Sequence, residues 1–335
     1  MPEMPFVSVI MPVRNEADFI AESLGAVLAQ DYPHDRMEVL IADGMSSDAT
    51  RAIISQVAAE HPDIPVTVLD NPRHIVPTGL NIALDQAAGE VIVRVDGHCK
   101  IAPDYLSRCV THLLEDRVDG VGGPIETVAA TPSGRAIAAA MSSAFGVGGS
   151  AFRTLRGRTV LVDTIAFPAY TRRAVELAGP FDEELVRNQD DEYNYRLCKL
   201  GCKLLLADDV KAEYYSRSTL RSLWWQYFQY GFWKVRVMQK HPRQMRLRQF
   251  APPAFVLALI VGGALAPFSA VVRSLWLGLI ASYLLANLTA SLLAASRGGW
   301  RLLPLLPFAF ATLHLSYGVG FLVGLVRFAD RWNKA

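Results

Sequence analysis

Three apolar stretches close this chain, at residues 252–272, 275–295 and 302–326, and they contain no Lys, Arg, Asp or Glu. Each is long enough to cross a hydrocarbon core about 30 Å thick at about 1.5 Å of helix rise per residue. Soluble helices this long and this apolar, three in succession, have nowhere to bury their surface, so the C-terminal third reads as membrane helices. Short linkers carry Arg273, Arg297 and Arg301, and the tail carries Arg327, Arg331 and Lys334. A dense basic run precedes the first stretch and places the N-terminal part on the cytoplasmic side. Three full spans would export the basic tail, against the same rule. A re-entrant stretch, broken at Pro267 or at Pro304 and Pro307, is the alternative.

The segment before the first stretch is of another kind. Leu223, Trp224, Trp225, Tyr227, Phe228, Tyr230, Phe232 and Trp233 interleave with Arg221, Lys234, Arg236, Lys240, Arg243, Arg246 and Arg248. Aromatics and cations at this density suit a helix lying in the membrane interface. The chain thus divides into a domain at 1–218, an interfacial segment at 219–250 and a membrane domain at 251–335.

The first hundred residues alternate. Strands are expected at 6–11, 38–42, 65–69 and 91–95, and helices at 16–30, from Ser47, at 77–87 and from Pro103-Asp104, where Pro sits as first-turn residues prefer. Apolar strands separated by helices imply a parallel sheet covered on both faces, a Rossmann-like layer sandwich. Residues 129–158 are rich in Gly, Ala and Ser and read as a partly mobile segment. A strand at 159–169, helices at 171–178 and 188–200 and a strand at 203–207 follow.

Two of these strands end in acids, Asp43 and Asp96. They bring carboxylates to the carboxyl edge of one sheet, where open α/β sheets bind ligands. A carboxylate pair there suits a nucleotide and a divalent cation on its phosphates. The formal charge is +1, which gives no footprint for nucleic acid. Four scattered cysteines, Cys99, Cys109, Cys198 and Cys202, form no disulfide framework and read as reduced thiols. Pro2, Glu3 and Pro5 lead straight into a strand, unlike a signal peptide.

Four motifs then carry a resemblance. Val9-Ile10-Met11-Pro12-Val13-Arg14-Asn15-Glu16 resembles the opening strand and turn of family 2 glycosyltransferases. Ile41-Ala42-Asp43-Gly44-Met45-Ser46-Ser47-Asp48-Ala49-Thr50 is similar to their second-strand motif. Val95-Asp96-Gly97-His98 is similar to their D-x-D motif, and Asn188-Gln189-Asp190-Asp191-Glu192 to their E-D-x-E motif. The resemblance spans roughly residues 5–235. It is strongest to membrane-anchored bacterial exopolysaccharide enzymes of the succinoglycan-glucosyltransferase type. It implies a GT-A fold, a mixed α/β sheet between helices, and inverting transfer from a nucleotide sugar.

The implied roles fall on particular residues. Asp96 and His98 take the metal positions, with Mn²⁺ or Mg²⁺ as cofactor; His98 departs from the usual acid. Asp43 takes the base-reading position, with the Pro12–Arg14–Glu16 turn lining the same pocket. Arg73, Asn81 and Arg217 are further donor-site candidates, the last through bidentate contact with pyrophosphate. Asp190 takes the position of the base that removes the acceptor hydroxyl's proton. Asp191 and Glu192 are the alternatives or supports. Gln189 replaces the family's common Glu, and an amide cannot act as a base. Gln229-Tyr230-Gly231-Phe232-Trp233 resembles the Q-x-x-R-W motif of processive relatives but has Phe232 for Arg. Gln229 and Trp233 remain acceptor or interface candidates. The expected partners are a nucleotide sugar, UDP-glucose as first guess, a polyprenyl-diphosphate-linked acceptor and the lipid bilayer. The expected location is the bacterial inner membrane. A polyprenyl-phosphate glycosyltransferase, a processive synthase and a non-catalytic nucleotide-sugar sensor are the competing readings.

Overall fold

The structure is a computed structural model and describes residues 4–332. Pro2, Glu3 and Lys334 lie outside the described residues. The alternation holds: β1 (Val7–Val13), α1 (Ile20–Leu28), β2 (Met37–Asp43), α2 (Thr50–Ala59), β3 (Val66–Asp70), α3 (Val76–Gln86) and β4 (Val91–Arg94) follow in order. Then come β5 (Cys99–Ile101), α4 (Tyr105–Glu115), β6 (Gly120–Gly122), β7 (Ile125–Val128), α5 (Pro132–Met141), α6 (Ala144–Val147) and α7 (Ala151–Thr154). The series continues with β8 (Val160–Val162), β9 (Ala169–Thr171), α8 (Arg172–Ala178), α9 (Gln189–Lys199), β10 (Leu204–Leu206) and β11 (Ala212–Tyr215). Four helices end it: α10 (Leu220–Lys240), α11 (Leu247–Leu265), α12 (Ala270–Gly298) and α13 (Leu306–Arg327).

Eight strands form one sheet in the order β3-β2-β1-β4-β9-β6-β10-β8. The pairs β3–β2, β2–β1, β1–β4 and β6–β10 are parallel; β9 runs antiparallel to β4 and β6, and β8 runs antiparallel to β10. The sheet is therefore mixed, as the family resemblance implies, while the alternating half on its own is parallel. β5, β11 and β7 make a second, three-stranded sheet. Buried Ile10, Leu40, Leu80, Ile92, Tyr170, Phe181 and Tyr193 belong to one core cluster, with the Phe181 and Tyr193 rings stacked at 4.0 Å.

Several boundaries depart from the sequence reading, each for a local reason. The helix expected at 16–30 starts only at Ile20. Its first residues are held elsewhere, since Glu16 N–H donates to Thr50 Oγ1 and Ala17 N–H to Asp48 Oδ2. The strand expected at 159–169 splits into β8 and β9. Phe167 adopts φ 47° and Asn194 Nδ2 captures the Ile165 carbonyl, so the chain leaves the extended path between them. All four cysteines are free thiols, and burial pushes the Cys99 and Cys109 thiols up, away from thiolate chemistry.

The described chain divides into two compact units. One holds the residues up to Glu126 with Ala151–Tyr215; the other holds Thr127–Ser150 with the residues from Ser216 onward. The stretch expected as a mobile segment at 129–158 is therefore largely helical, as α5, α6 and α7. Thr131 caps α5 by accepting from Gly134 N–H, and His314 Nε2 of α13 is 2.8 Å from the Phe145 carbonyl of α6. His314 Nδ1 meets Tyr283 Oη at 3.0 Å, and Asn287 Nδ2 donates to the Pro307 carbonyl. These pairings answer the polar groups inside an apolar bundle.

In the same unit α11, α12 and α13 are long and apolar enough to cross a membrane by length and composition. Pro267 lies in the break between α11 and α12, and Pro304 precedes α13, so neither interrupts a helix. The segment expected to lie in the interface, α10, packs one face on α13. A Cβ built on Gly231 would stand 2.1 Å from the Tyr317 carbonyl oxygen, and one on Gly320 2.0 Å from that of Phe228. Glycine at these crossings lets the two backbones touch, as small residues do between membrane helices. This unit carries a single acid, Asp330.

Candidate active site

In the first unit the sheet order reverses beside β1: the chain builds outward through β2 and β3, then returns to place β4 on the other side. The crevice beyond the carboxyl ends of β1 and β4 is thus the topological switch point, where such sheets bind ligands. The turn after β1 and the Asp96–His98 turn after β4 flank it. Gly97 lets the two turns pack closely. A Cβ on it would sit 3.0 Å from Glu16 Cγ and 3.1 Å from Val13 Cγ1.

Asp96 is held by a residue the sequence reading passed over. Arg94 Nε donates to Asp96 Oδ1 at 2.8 Å and Arg94 Nη2 to Oδ2 at 3.1 Å, a bidentate pair. Arg94 is only 8% exposed. Burial disfavours its charge, but Asp96 first and Asp190 second outweigh that and hold the guanidinium pKa above its ordinary value. A single cation thus lies in the field of both carboxylates that the motifs single out. A lone Arg in the apolar strand Val91-Ile92-Val93-Arg94-Val95, two positions before Asp96 and so on the same face, was the available signal.

His98 faces Glu16. Its Nδ1 lies 2.8 Å from Glu16 Oε1, and the two side chains are 20% and 18% exposed. The His98 ring also meets Tyr214 edge-on at 5.3 Å. Arg14, from the same turn, lies against Gly44. Pro12 stands opposite Ala42 in the β1–β2 register. The turn is laced to the loop after β2: Asn15 N–H donates to Ser46 Oγ, and Asn15 Oδ1 accepts from Ser47 N–H.

Asp43 is fully buried and already served. It accepts from Ser46 N–H and Oγ and from Arg51 Nε. Arg51 also pairs with Asp70, and these two acids, Asp70 first, raise its pKa. Arg51 and Asp70 were missed because they come together only when β2, α2 and β3 pack. Asp43 thereby braces the loop after β2 against α2.

Asp190 is exposed in the first turn of α9, where the helix dipole favours a carboxylate, and its Oδ1 accepts from Asp191 N–H. Asn188, at φ 63°, turns the chain into that helix. Asp191 is half-buried. Glu192 is committed elsewhere: both its oxygens accept from Arg196, which also donates to the Ala178 and Pro180 carbonyls. Gln189 is 5% exposed; a Glu in its place would bury a carboxylate, which the amide avoids.

Arg73 and Asn81, the further donor-site candidates of the first unit, both have partners near the start of α9. Arg73 pairs with Glu183, while Asn81 donates to the Phe181 carbonyl and accepts from Phe181 N–H. Both secure the loop that leads to α9. Arg217, Gln229 and Trp233 belong to the second unit. The Trp233 ring meets Phe328 there at 5.6 Å, tilted by 42°.

Residues 8–175 match the family described as Glycosyl transferase family 2. The succinoglycan biosynthesis protein ExoA of Rhizobium meliloti (strain 1021) is 35% identical over 266 residues, 77% of each chain. A dolichyl N-acetyl-alpha-D-glucosaminyl phosphate 3-beta-D-2,3-diacetamido-2,3-dideoxy-beta-D-glucuronosyltransferase of Methanococcus voltae is 27% identical over 97% of this chain and 98% of its own. Among solved structures, the mannosyltransferase PcManGT of Pyrobaculum calidifontis, in complex with GDP-Man and Mn²⁺, superposes with a TM-score of 0.60 at 22% identity. That match covers 100% of this chain and 89% of the other. The S. aureus TarS fragment 1-349 with UDP-GlcNAc gives 0.53 at 17% identity, over 97% and 92%. These structures show the GT-A fold. With its fold, its four motifs and its relatives in agreement, the chain belongs to glycosyl transferase family 2 and is a glycosyltransferase.

Proposed function

We propose that this glycosyltransferase moves a hexose, with inversion, from a nucleoside-diphosphate sugar to a hydroxyl of a polyprenyl-diphosphate-linked oligosaccharide in exopolysaccharide or envelope glycan synthesis. UDP-glucose is the first donor to test. The observation that carries the reading is the buried Arg94, paired bidentately with Asp96 and in the field of Asp190. It supports a reading in which Asp96, at the end of β4, serves the donor phosphates and Asp190 lies within electrostatic reach of the same cation. The Methanococcus voltae relative, named for a dolichyl-linked phosphate sugar, supports a lipid-linked acceptor.

In this mechanism the donor lies in the crevice beside β1 and β4, against the Pro12–Glu16 turn and the loop braced by Asp43. Asp190, exposed and without a salt bridge among the described residues, takes the acceptor hydroxyl's proton. Inversion needs no covalent intermediate, so one such carboxylate suffices. Among the described residues no three His, Cys, Asp or Glu side chains converge on one point. A cation on a diphosphate takes only one or two protein groups, however, and phosphates supply the rest. Asp96 and His98, a carboxylate and an imidazole flanking one glycine, fit that need. When bound, Mn²⁺ or Mg²⁺ would neutralise charge on the departing diphosphate.

The basic, almost acid-free second unit fits attachment to an anionic cytoplasmic leaflet of a bacterial inner membrane, with the first unit on the cytoplasmic side. Radiolabelled nucleotide sugars, supplied to membranes containing lipid-linked intermediates, test the proposal. One labelled sugar added per lipid acceptor is expected. Label in long polymer points to a processive synthase. Label on bare polyprenyl phosphate, undiminished in Asp190→Asn, moves that acceptor to first place.

A further inference from the structure

We propose that Glu16 is a positioning residue for His98, fixing the ring so that Nε2 is the atom offered to a divalent cation. This rests on the nucleotide-sugar reading above and adds to it the means by which a histidine serves where an acid is usual. A carboxylate can only accept, so the proton shared between Glu16 Oε1 and His98 Nδ1, 2.8 Å apart, sits on the ring nitrogen. In the neutral ring Nε2 then keeps its lone pair, and it has no hydrogen-bond partner among the described residues. Histidines that bind metals commonly donate their other ring N–H to a carboxylate in this way, which sets both tautomer and orientation.

The contact is built by the fold. Glu16 leaves β1 and His98 leaves β4, so the pair spans the switch point between the two strands. Glu16 reaches across Gly97, where a built Cβ would come 3.0 Å from its Cγ. Its backbone is pinned by the bond from Glu16 N–H to Thr50 Oγ1, at 2.8 Å, and its carbonyl accepts from the N–H groups of Phe19 and Ile20. On the far side, the Tyr214 ring and the bond from Tyr215 N–H to the His98 carbonyl hold the histidine. Glu16 is thereby fixed as a holder of the ring, with no second basic partner among the described residues.

Mn²⁺ binding to the full-length protein in detergent, with UDP present, tests this by electron paramagnetic resonance. The wild type should show hyperfine coupling from one imidazole nitrogen, lost in His98→Asp although Mn²⁺ still binds. Glu16→Ala should weaken Mn²⁺ affinity by about 10–100-fold, as loss of such outer partners does. Glu16→Gln, whose amide oxygen still accepts from Nδ1–H, should retain most of it. Calorimetric binding of UDP without cation should be detectable in the wild type, so that nucleotide and metal binding are read separately. Absence of nitrogen coupling in wild-type protein that binds both UDP and Mn²⁺ overturns the inference and leaves the nucleotide-sugar reading standing. So does unchanged Mn²⁺ affinity in Glu16→Ala. Failure of the wild type to bind UDP overturns both.

Discussion

At the scale of single residues, the acidic motif on α9 separates by what each side chain touches. Glu192 is taken by Arg196, while Asp190 is exposed and senses the Arg94 cation. Replacing Asp190 with Asn should lower kcat by about 10²–10⁴-fold, the range of general-base catalysis, with donor affinity little changed. Asp191→Asn should cost on the order of a few-fold; steady-state kinetics on one lipid-linked acceptor compares them, and the reverse ranking would shift the base by one position. Arg94 gives a second test. Removing one partner of a buried pair costs about 3–5 kcal/mol. Arg94→Met should therefore lower thermal stability, and Arg94→Lys should not restore activity, because an ammonium cannot reproduce the bidentate grip. Asp96 was legible in the sequence as an acid at a strand end. Its partner was only half legible, because a strand pattern shows that Arg94 shares its face but not that the two side chains meet.

Among elements, α4 is joined to the turn before β11 by His112. Its Nδ1 lies 2.7 Å from Asp116 and its Nε2 2.8 Å from Asp209. Burial lowers the ring's pKa, but the hydrogen bonds to Asp116 and Asp209 outweigh it and the net shift is upward. A histidine whose folded pKa is raised adds stability below its ordinary value, and that stability is lost as pH rises through the raised one. Thermal stability should therefore fall from slightly acidic toward alkaline pH, and His112→Gln should flatten that slope. The α10–α13 crossing gives the second element-scale test. A Cβ at Gly320 would lie 2.0 Å from the Phe228 carbonyl oxygen, so Gly320→Val must part the helices. Overpacking typically costs about 1–3 kcal/mol; faster proteolysis within 216–250 would report it. Nothing in the aromatic and basic composition of α10 distinguished a helix lying on lipid from one leaning on glycines. That difference arises from a partner helix some eighty residues later.

For the whole molecule, the two units divide the chemistry, with the acids of the site in one and the apolar helices and most of the basic run in the other. Chelation with EDTA should abolish transfer, and Mn²⁺ should restore it at least as well as Mg²⁺; full activity in chelator would exclude Asp96 and His98 as metal ligands. Truncation after Arg217 should remove membrane association but also strip α5 and α6 of the helices they pack on, so the fragment should aggregate. Clean solubility would show that 127–150 stands alone. The sequence by itself determined the alternating β1–β4 half, the acids at its strand ends, the family and the three long apolar helices. Each is written in local periodicity or in a short contiguous motif, and both survive in one dimension. Only the tertiary structure decided that 129–158 is helical, that 159–169 breaks into two strands and that Arg73 and Asn81 brace a loop. It also decided that Glu16 meets His98 and Arg94 clamps Asp96. Such facts depend on which side chains and carbonyls meet once strands pair and helices cross, and no spacing along the chain encodes them.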